Sequence, residues 1–103
     1  MTAEQMLQEL ESRADALLQA ERQAGEAELA FKAFEATASL AFRDAGSSMA
    51  EAERRVKTEP AWGEAFGALQ AAHLEAASRK RAYARAERAL DLWRTEQTTL
   101  RQV

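Results

Sequence analysis

Clustered basic side chains in the C-terminal third of the chain have the clearest chemical potential in this sequence. Arg81, Arg85 and Arg88 are spaced i, i+4 and i+7, so on a helix they form one stripe. Arg79 and Lys80 come directly before them. Guanidinium and ammonium groups in such a stripe can bind the phosphates of a single or a double nucleic-acid strand. The stripe therefore predicts a nucleic-acid-binding surface.

Acidic residues in the N-terminal half suggest a second interpretation of the same stripe. Residues 1–46 contain nine acidic and four basic side chains, whereas residues 79–103 contain seven basic and three acidic ones. If these regions lie side by side, ion pairs between them would use much of the positive charge, at about 0.3–0.5 kcal/mol for each exposed pair. Both interpretations stay open: a surface for phosphates, or a row of ion pairs that sets the register.

A smaller basic group lies near the middle of the chain and consists of Arg54, Arg55 and Lys57. Three acidic residues surround it and reduce its local charge: Glu51, Glu53 and Glu59. We include this group among the candidate nucleic-acid contacts, as a weaker one than the C-terminal stripe.

Residues for catalysis or metal binding are few. The chain has no cysteine and one histidine, which excludes a thiolate metal site and leaves too few ligands for a histidine-based zinc site. It has neither a glycine-rich phosphate loop with a lysine nor a recognisable set of nucleophile and base. We expect a protein that is not an enzyme and that needs no metal, cofactor or small-molecule substrate.

Hydrophobic runs are also short. No stretch approaches the roughly 20 apolar residues of a membrane span, and the first residues are typical of a helix start rather than a signal peptide. We therefore expect a protein without membrane contact, located in the cytoplasm of a bacterial host cell.

The elements that position the basic stripe are long helices. There are 25 alanines, four glycines and one proline, a composition typical of an all-α protein. Thr2 and Gln5 form a possible capping box, Gly46 is a possible helix end, and Pro60 suits a first helical turn. We predict helices at about 2–45, 49–57 and 60–101 within a single domain, residues 1–103, without internal repeats.

The third of these helices has a heptad seam along most of its length. Apolar or small residues alternate at spacings of three and four, which indicates a partner helix along the whole seam. The seam positions are Trp62, Ala65, Leu69, Ala72, Ala76, Arg79, Tyr83, Ala86, Leu90, Trp93, Gln97 and Leu100.

Two long helices of nearly equal length with a short connection predict an antiparallel hairpin. Leu69, Tyr83, Leu90 and Trp93 are the expected packing or oligomer contacts of the third helix. In this arrangement we expect the large side chains of the first helix, Phe31 and Phe34, to lie opposite small residues of the third, Ala72 and Ala76.

A second apolar set falls outside the seams and needs a cover. A hairpin of two helices has no enclosed core, and no disulfide or metal is available to stabilise it. We expect these residues to drive homo-oligomer formation; the alternative is that the short second helix folds back over part of them. The set is Leu18, Leu29, Leu40, Phe42, Phe66, Leu74 and Leu92.

The order of these elements resembles a known family. The residues that carry the resemblance are the segments Ala41–Gly46 and Ser48–Ala52, the segment Val56-Lys57-Thr58-Glu59-Pro60-Ala61-Trp62, and the run Ala71–Arg101 with its ending Leu90-Asp91-Leu92-Trp93-Arg94. A long helix, a short helix ending in Val-Lys, an acid-Pro turn and a second long helix resemble the UvsY-like recombination mediators of tailed phages.

This resemblance implies a non-enzymatic helical protein that binds single-stranded DNA and forms rings. Such a protein helps to load a recombinase onto strands coated with single-strand-binding protein. It implies DNA contacts for Arg54, Arg55 and Lys57 near the turn, and a second DNA-facing surface at Arg79–Arg88.

Our leading hypothesis is therefore an oligomeric accessory protein of phage-type DNA recombination or replication that binds single-stranded DNA through its basic residues. The alternative is a small helical adaptor or inhibitor of a host enzyme that binds protein and no nucleic acid. A third possibility is a scaffold for phage morphogenesis. Arginines paired with the acidic first helix would favour the adaptor, whereas arginines grouped on a free face would favour DNA.

Overall fold

The chain forms a long helical hairpin in a computed structural model that describes residues 1–102. The helices are α1 (Ala3–Asp44), α2 (Met49–Thr58) and α3 (Pro60–Gln102). The molecule measures 79 × 18 × 16 Å, and its radius of gyration is 22.4 Å, compared with about 13 Å for a compact domain of this length. The predicted all-α antiparallel hairpin is confirmed, and each helix end differs from its predicted position by one residue at most.

Local sequence signals set the helix ends. Thr2 and Gln5 form the expected capping box, with each backbone N–H donating to the other residue's side-chain oxygen. At the end of α1, Gly46 has φ 105°, and the N–H groups of Gly46 and Ser47 donate to the carbonyls of Arg43 and Phe42. This is a Schellman motif, which requires the left-handed conformation that glycine adopts without strain.

The connection between α2 and α3 is shorter than the one between α1 and α2. Ser48 caps α2 by accepting the N–H of Glu51, and Glu59 is the one residue between α2 and α3. Glu59 is extended (ψ 133°), as a residue before proline prefers, and Pro60 begins α3. Because the connections are this short, α2 must lie close to both long helices.

The two long helices are staggered along the hairpin. Each is about 64 Å long at 1.5 Å per residue, yet the molecule spans 79 Å, which leaves an offset of about 15 Å, or ten residues. At one end α2 fills this offset by packing on the last turns of α1, where Ala52 and Val56 are buried. At the other end the last turns of α3 extend beyond α1, so Leu100 is exposed despite its seam position.

The stagger overturns one predicted contact. Phe31 packs against Trp62 and Phe66, with ring centroids 5.8 Å from each, and these two rings stack on each other at 5.0 Å. The expectation that Phe31 lies opposite Ala72 and Ala76 is wrong, because α2 takes the space beside the end of α1 and shifts α3 along it. Three large rings therefore cluster at the α2 end, and the rest of the interface combines many small residues with Tyr83, Leu90 and Trp93.

Alanine dominates the remainder of the interface. The buried residues of α1 are Ala20 and Ala24, and those of α3 are Ala82 and Leu90. Small side chains let two helices approach closely, but each contributes little apolar area. Leu90 is therefore the largest buried side chain that α3 contributes.

We predict that Leu90→Ala lowers the free energy of unfolding by about 2–3 kcal/mol, because it removes a buried side chain from a thin interface. The measurement is urea unfolding at fixed protein concentration, followed by circular dichroism. Leu92→Ala is the matched control, because Leu92 is 59 % exposed whereas Leu90 is 4 % exposed. The free energy of unfolding of Leu92→Ala should stay within about 0.5 kcal/mol of the parent value. Equal losses for the two variants would contradict the packing described here.

A second prediction concerns the hydrogen bond from Trp62 Nε1 to Glu35 Oε2, which is 3.0 Å long and partly buried. Trp62→Phe should lower the free energy of unfolding by about 1–2 kcal/mol more than Trp93→Phe does. Both variants make the same chemical change, an indole to a phenyl ring, but Trp62→Phe also leaves the Glu35 carboxylate without its donor. Denaturation curves of the two variants give the comparison, and indistinguishable midpoints would show that the bond contributes nothing.

Candidate nucleic-acid interface

The basic residues of α3 divide into three positions around the helix. Arg81, Arg85 and Arg88 form an arginine stripe on the outer side of α3, and all three are exposed. Arg85, at one edge of the stripe, also lines a groove between α3 and α1. Lys80 is also exposed but projects from the flank of α3, about 100° around the helix from Arg81. Arg79 occupies a seam position. The structure thus brings together three of the five residues expected at this surface.

Ion pairing distinguishes Arg79 from the stripe. Arg79 Nε lies 2.7 Å from Glu75 Oε1, one turn earlier on the same helix. None of the ion pairs within residues 1–102 involves Lys80, Arg81, Arg85 or Arg88. The stripe therefore keeps its positive charge available to a ligand.

The acidic residues of α1 do not neutralise α3 in the way the sequence allowed. All four ion pairs in the described part of the chain join residues of one helix. Arg85 lines a groove that also includes Glu9 and Arg13 of α1. The Glu9 carboxylate is 2.8 Å from Arg13 Nε, so it is already paired within its own helix.

The surroundings of the stripe are free of carboxylates along its own line from Gly67 to Leu92, and Glu96 is the first acidic residue beyond it. The positions that continue the line within this range are all exposed; they are Gly67, Gln70, Leu74, Ser78 and Leu92. Arg81 and Arg88 are about 10.5 Å apart along the axis. The outer face of α3 therefore has one compact basic segment between two exposed leucines.

Aromatic side chains are absent from this face. The seven aromatic residues of the chain are all half-buried, and Tyr83 and Trp93 face α1 from the seam. Stacking on exposed rings is a common way to hold single-stranded bases. Any nucleic acid on the stripe would therefore be held through its phosphates, without base stacking on rings.

The second basic group lies elsewhere. Arg54, Arg55 and Lys57 are exposed on α2, at the end of the hairpin where α3 begins. Lys57 lines a groove with two carboxylates, Glu35 and Glu53. From Pro60 to Arg81 the axial distance is about 32 Å, so the structure does not join this group to the arginine stripe.

The four predicted packing residues lie on the α1 side of α3. Leu90 is buried, and Leu69, Tyr83 and Trp93 are half-buried. Packing of α3 against α1 within one chain accounts for their burial, and a further contact between subunits stays a prediction.

The regular spacing of exposed leucines on α1 is a feature that the sequence interpretation missed. Leu18, Leu29 and Leu40 were expected outside the seams, and together with Leu7 they occur at an interval of 11 residues along α1. Eleven residues make three helical turns plus about 20°, so the four side chains follow one nearly straight line. Counting the spacing of identical residues would have found it, whereas the search for heptads did not.

Within residues 1–102 no three acidic or histidine side chains converge in a way that could hold a metal ion. In the same region, no helix combines the length and hydrophobicity needed to cross a membrane. Comparison of the chain with protein-family models, with curated proteins and with solved structures finds no match.

Proposed function

We propose that this protein is a non-enzymatic helical accessory protein that binds single-stranded DNA through the phosphates, as a homo-oligomer. The observation that carries the proposal is the arginine stripe, which is exposed, compact and without ion pairs on the outer face of α3. The resemblance to UvsY-like mediators adds the context of phage-type recombination, in which the protein would help to load a recombinase.

The mechanism follows from how few groups the stripe contains. Three arginines release roughly two counterions per protomer on a single strand, since each phosphate contact contributes about 0.7 to the salt slope. One protomer therefore binds weakly. An oligomer adds several such contacts on one strand, and the effective concentration of each further stripe raises the overall affinity.

The arrangement of charges supports DNA over the adaptor alternative. An adaptor with arginines committed to the fold would show them paired with the acidic residues of α1. Instead, α1 carboxylates such as Glu9 and Glu28 pair within α1. The stripe thus offers its charge outward, where a polyanion can reach it.

We predict that binding to a labelled single-stranded oligonucleotide weakens steeply with salt. Fluorescence anisotropy between about 50 and 200 mM salt should give a slope of log K against log salt near −2 for each protomer engaged. Arg88→Gln should reduce the magnitude of that slope by about 0.7 per protomer and weaken binding. The triple variant Arg81→Gln, Arg85→Gln, Arg88→Gln should lose most of the affinity.

The matched control is Arg43→Gln, which removes the same charge from the far end of α1, outside the stripe. It should bind like the parent protein. If the parent protein shows no binding even at low salt, the DNA proposal is wrong and the protein-binding adaptor is favoured. If Arg43→Gln weakens binding as much as Arg88→Gln, net charge rather than the stripe is responsible.

A further inference from the structure

The leucine line of α1, formed by Leu7, Leu18, Leu29 and Leu40, has no cover in the hairpin. These side chains are 49–70 % exposed, and Leu29 is the most exposed of them. The most deeply buried residues of α2 are Ala52 and Val56, and α2 packs on the flank of α1 that includes Ser39, which leaves Leu40 exposed. The alternative in which α2 folds back over apolar residues thus accounts for the burial of Ala52 and Val56, but it leaves the leucine line exposed to solvent.

The molecule also exposes more surface than a solitary domain of its mass. Its accessible area is 7694 Å², whereas a compact monomer of 11.4 kDa exposes roughly 5,800 Å². The excess of about 1,900 Å² exceeds the roughly 800 Å² that each partner buries in a stable interface of ordinary size. The hairpin therefore has ample area to bury in an association, and the leucine line is its most regular apolar feature.

We propose that the leucine line is the contact for a second copy of this chain, with the two α1 helices packed antiparallel about a two-fold axis between Leu18 and Leu29. This inference rests on the homo-oligomer of the proposed function and specifies its interface. The equal spacing makes the line self-complementary, because reversing its direction places each leucine opposite another. Leu7 then meets Leu40 of the partner subunit, and Leu18 meets Leu29 of the partner subunit.

Charge favours this register beside the axis and opposes it at the ends, where Asp44 falls near the level of Glu4 of the partner subunit. Arg22 and Glu26 lie on the same side of the leucine line, close to the proposed axis. In the antiparallel arrangement Arg22 falls within about 1.5 Å, along the axis, of the level of Glu26 of the partner subunit. The two-fold axis repeats this contact, so each Arg22 gains an opposite charge from the other chain.

Backbone geometry near the axis allows close approach. Gly25 lies on the other side of the line from Arg22, and a Cβ built there meets nothing within 4 Å. Ala14 and Ala36 occur on the same side, one 11-residue interval before and after it. Small residues along one edge let the facing helix sit at the shorter end of the usual 8–10 Å axial separation.

The proposed dimer leaves the arginine stripes accessible. Arg81 and Arg88 lie on the side of α3 opposite its seam, so in an α1–α1 dimer the two stripes lie on opposite outer edges. Self-association and phosphate binding therefore use different faces. Loss of the stripe should leave the dimer intact, and loss of the dimer should leave the weaker phosphate binding of a single stripe.

Cysteine cross-linking tests the register directly, because the chain contains no cysteine of its own. Leu18→Cys and Leu29→Cys are prepared separately, mixed in equal amounts and mildly oxidised. The proposed register brings these positions opposite each other, at the roughly 4–6 Å Cα separation that a disulfide needs, whereas two copies of the same position lie about 16 Å apart. The mixture should cross-link faster than either variant alone.

A parallel pair of helices would give the reverse result, with each variant cross-linking to itself. That outcome, or equal rates in all three samples, would overturn the proposal. Leu74→Cys mixed with Leu92→Cys provides the control on α3, and it should show no preference.

Substitution by a charge tests whether the leucine line drives association. Leu29→Glu should raise the dimer dissociation constant by about 100-fold or more, because the symmetric interface contains the change twice. Leu74→Glu is the matched control, since both leucines are 70 % exposed in the single chain. Light scattering at tens of micromolar protein gives the mass, and circular dichroism checks that both variants stay helical.

The result separates this inference from the DNA proposal. A parent protein that is monomeric at tens of micromolar, or a dimer that Leu74→Glu breaks and Leu29→Glu does not, overturns the inference. If the monomeric Leu29→Glu variant still binds the oligonucleotide with a salt slope near −2, phosphate binding by the stripe does not depend on the dimer. Arg88→Gln should leave the dimer mass unchanged.

Discussion

Every feature of this protein depends on one constraint: two helices packed side by side can each bury only the stripe that faces the other. In this chain the facing stripes consist largely of alanine, so the interface is narrow as well as shallow. The buried residues of the two long helices are three alanines and Leu90. Stability must then come from the length of the contact, from well-capped helix ends and from local clusters, because the hairpin encloses no core.

The aromatic cluster and α2 compensate for the narrow alanine interface at one end of the hairpin. Phe31, Trp62 and Phe66 supply the large apolar area that the alanine seam lacks, and Glu35 satisfies the indole N–H of Trp62. α2 covers the last turns of α1, where the stagger leaves α1 without α3. The same stagger extends α3 beyond α1 at the other end, so one end of the hairpin consists of α1 and α2 and the other of α3 alone.

The constraint also explains why the two outer faces are available for function. The outer face of α3 presents arginines between two leucines, and the outer face of α1 presents a regular line of leucines among mostly acidic residues. A thicker fold would have buried the leucines and surrounded the arginines with other elements. In the proposed function these faces have separate tasks, phosphate contact for α3 and self-association for α1.

Sequence alone determined the helices and their ends, because capping residues, Gly46 and Pro60 act through backbone geometry over a few positions. It also determined which face of α3 carries the seam, since that follows from the spacing of apolar residues, and most of the predicted seam positions are buried or half-buried. The arginine stripe was predictable for the same reason. Its members share a face whenever α3 is a helix, whatever the helix packs against.

Tertiary structure decided the rest. The register of the hairpin depends on where α2 packs, and an alanine seam specifies register weakly because one small residue replaces another at little cost. For that reason Phe31 faces Trp62 and Phe66 and not Ala72 and Ala76. The pairing of the charged residues was decided in the same way, because α1 carboxylates such as Glu9 and Glu28 had a basic residue one turn away as well as basic residues on α3. Only the packed structure shows that the ion pairs form within a helix, where the backbone already holds the two side chains close together.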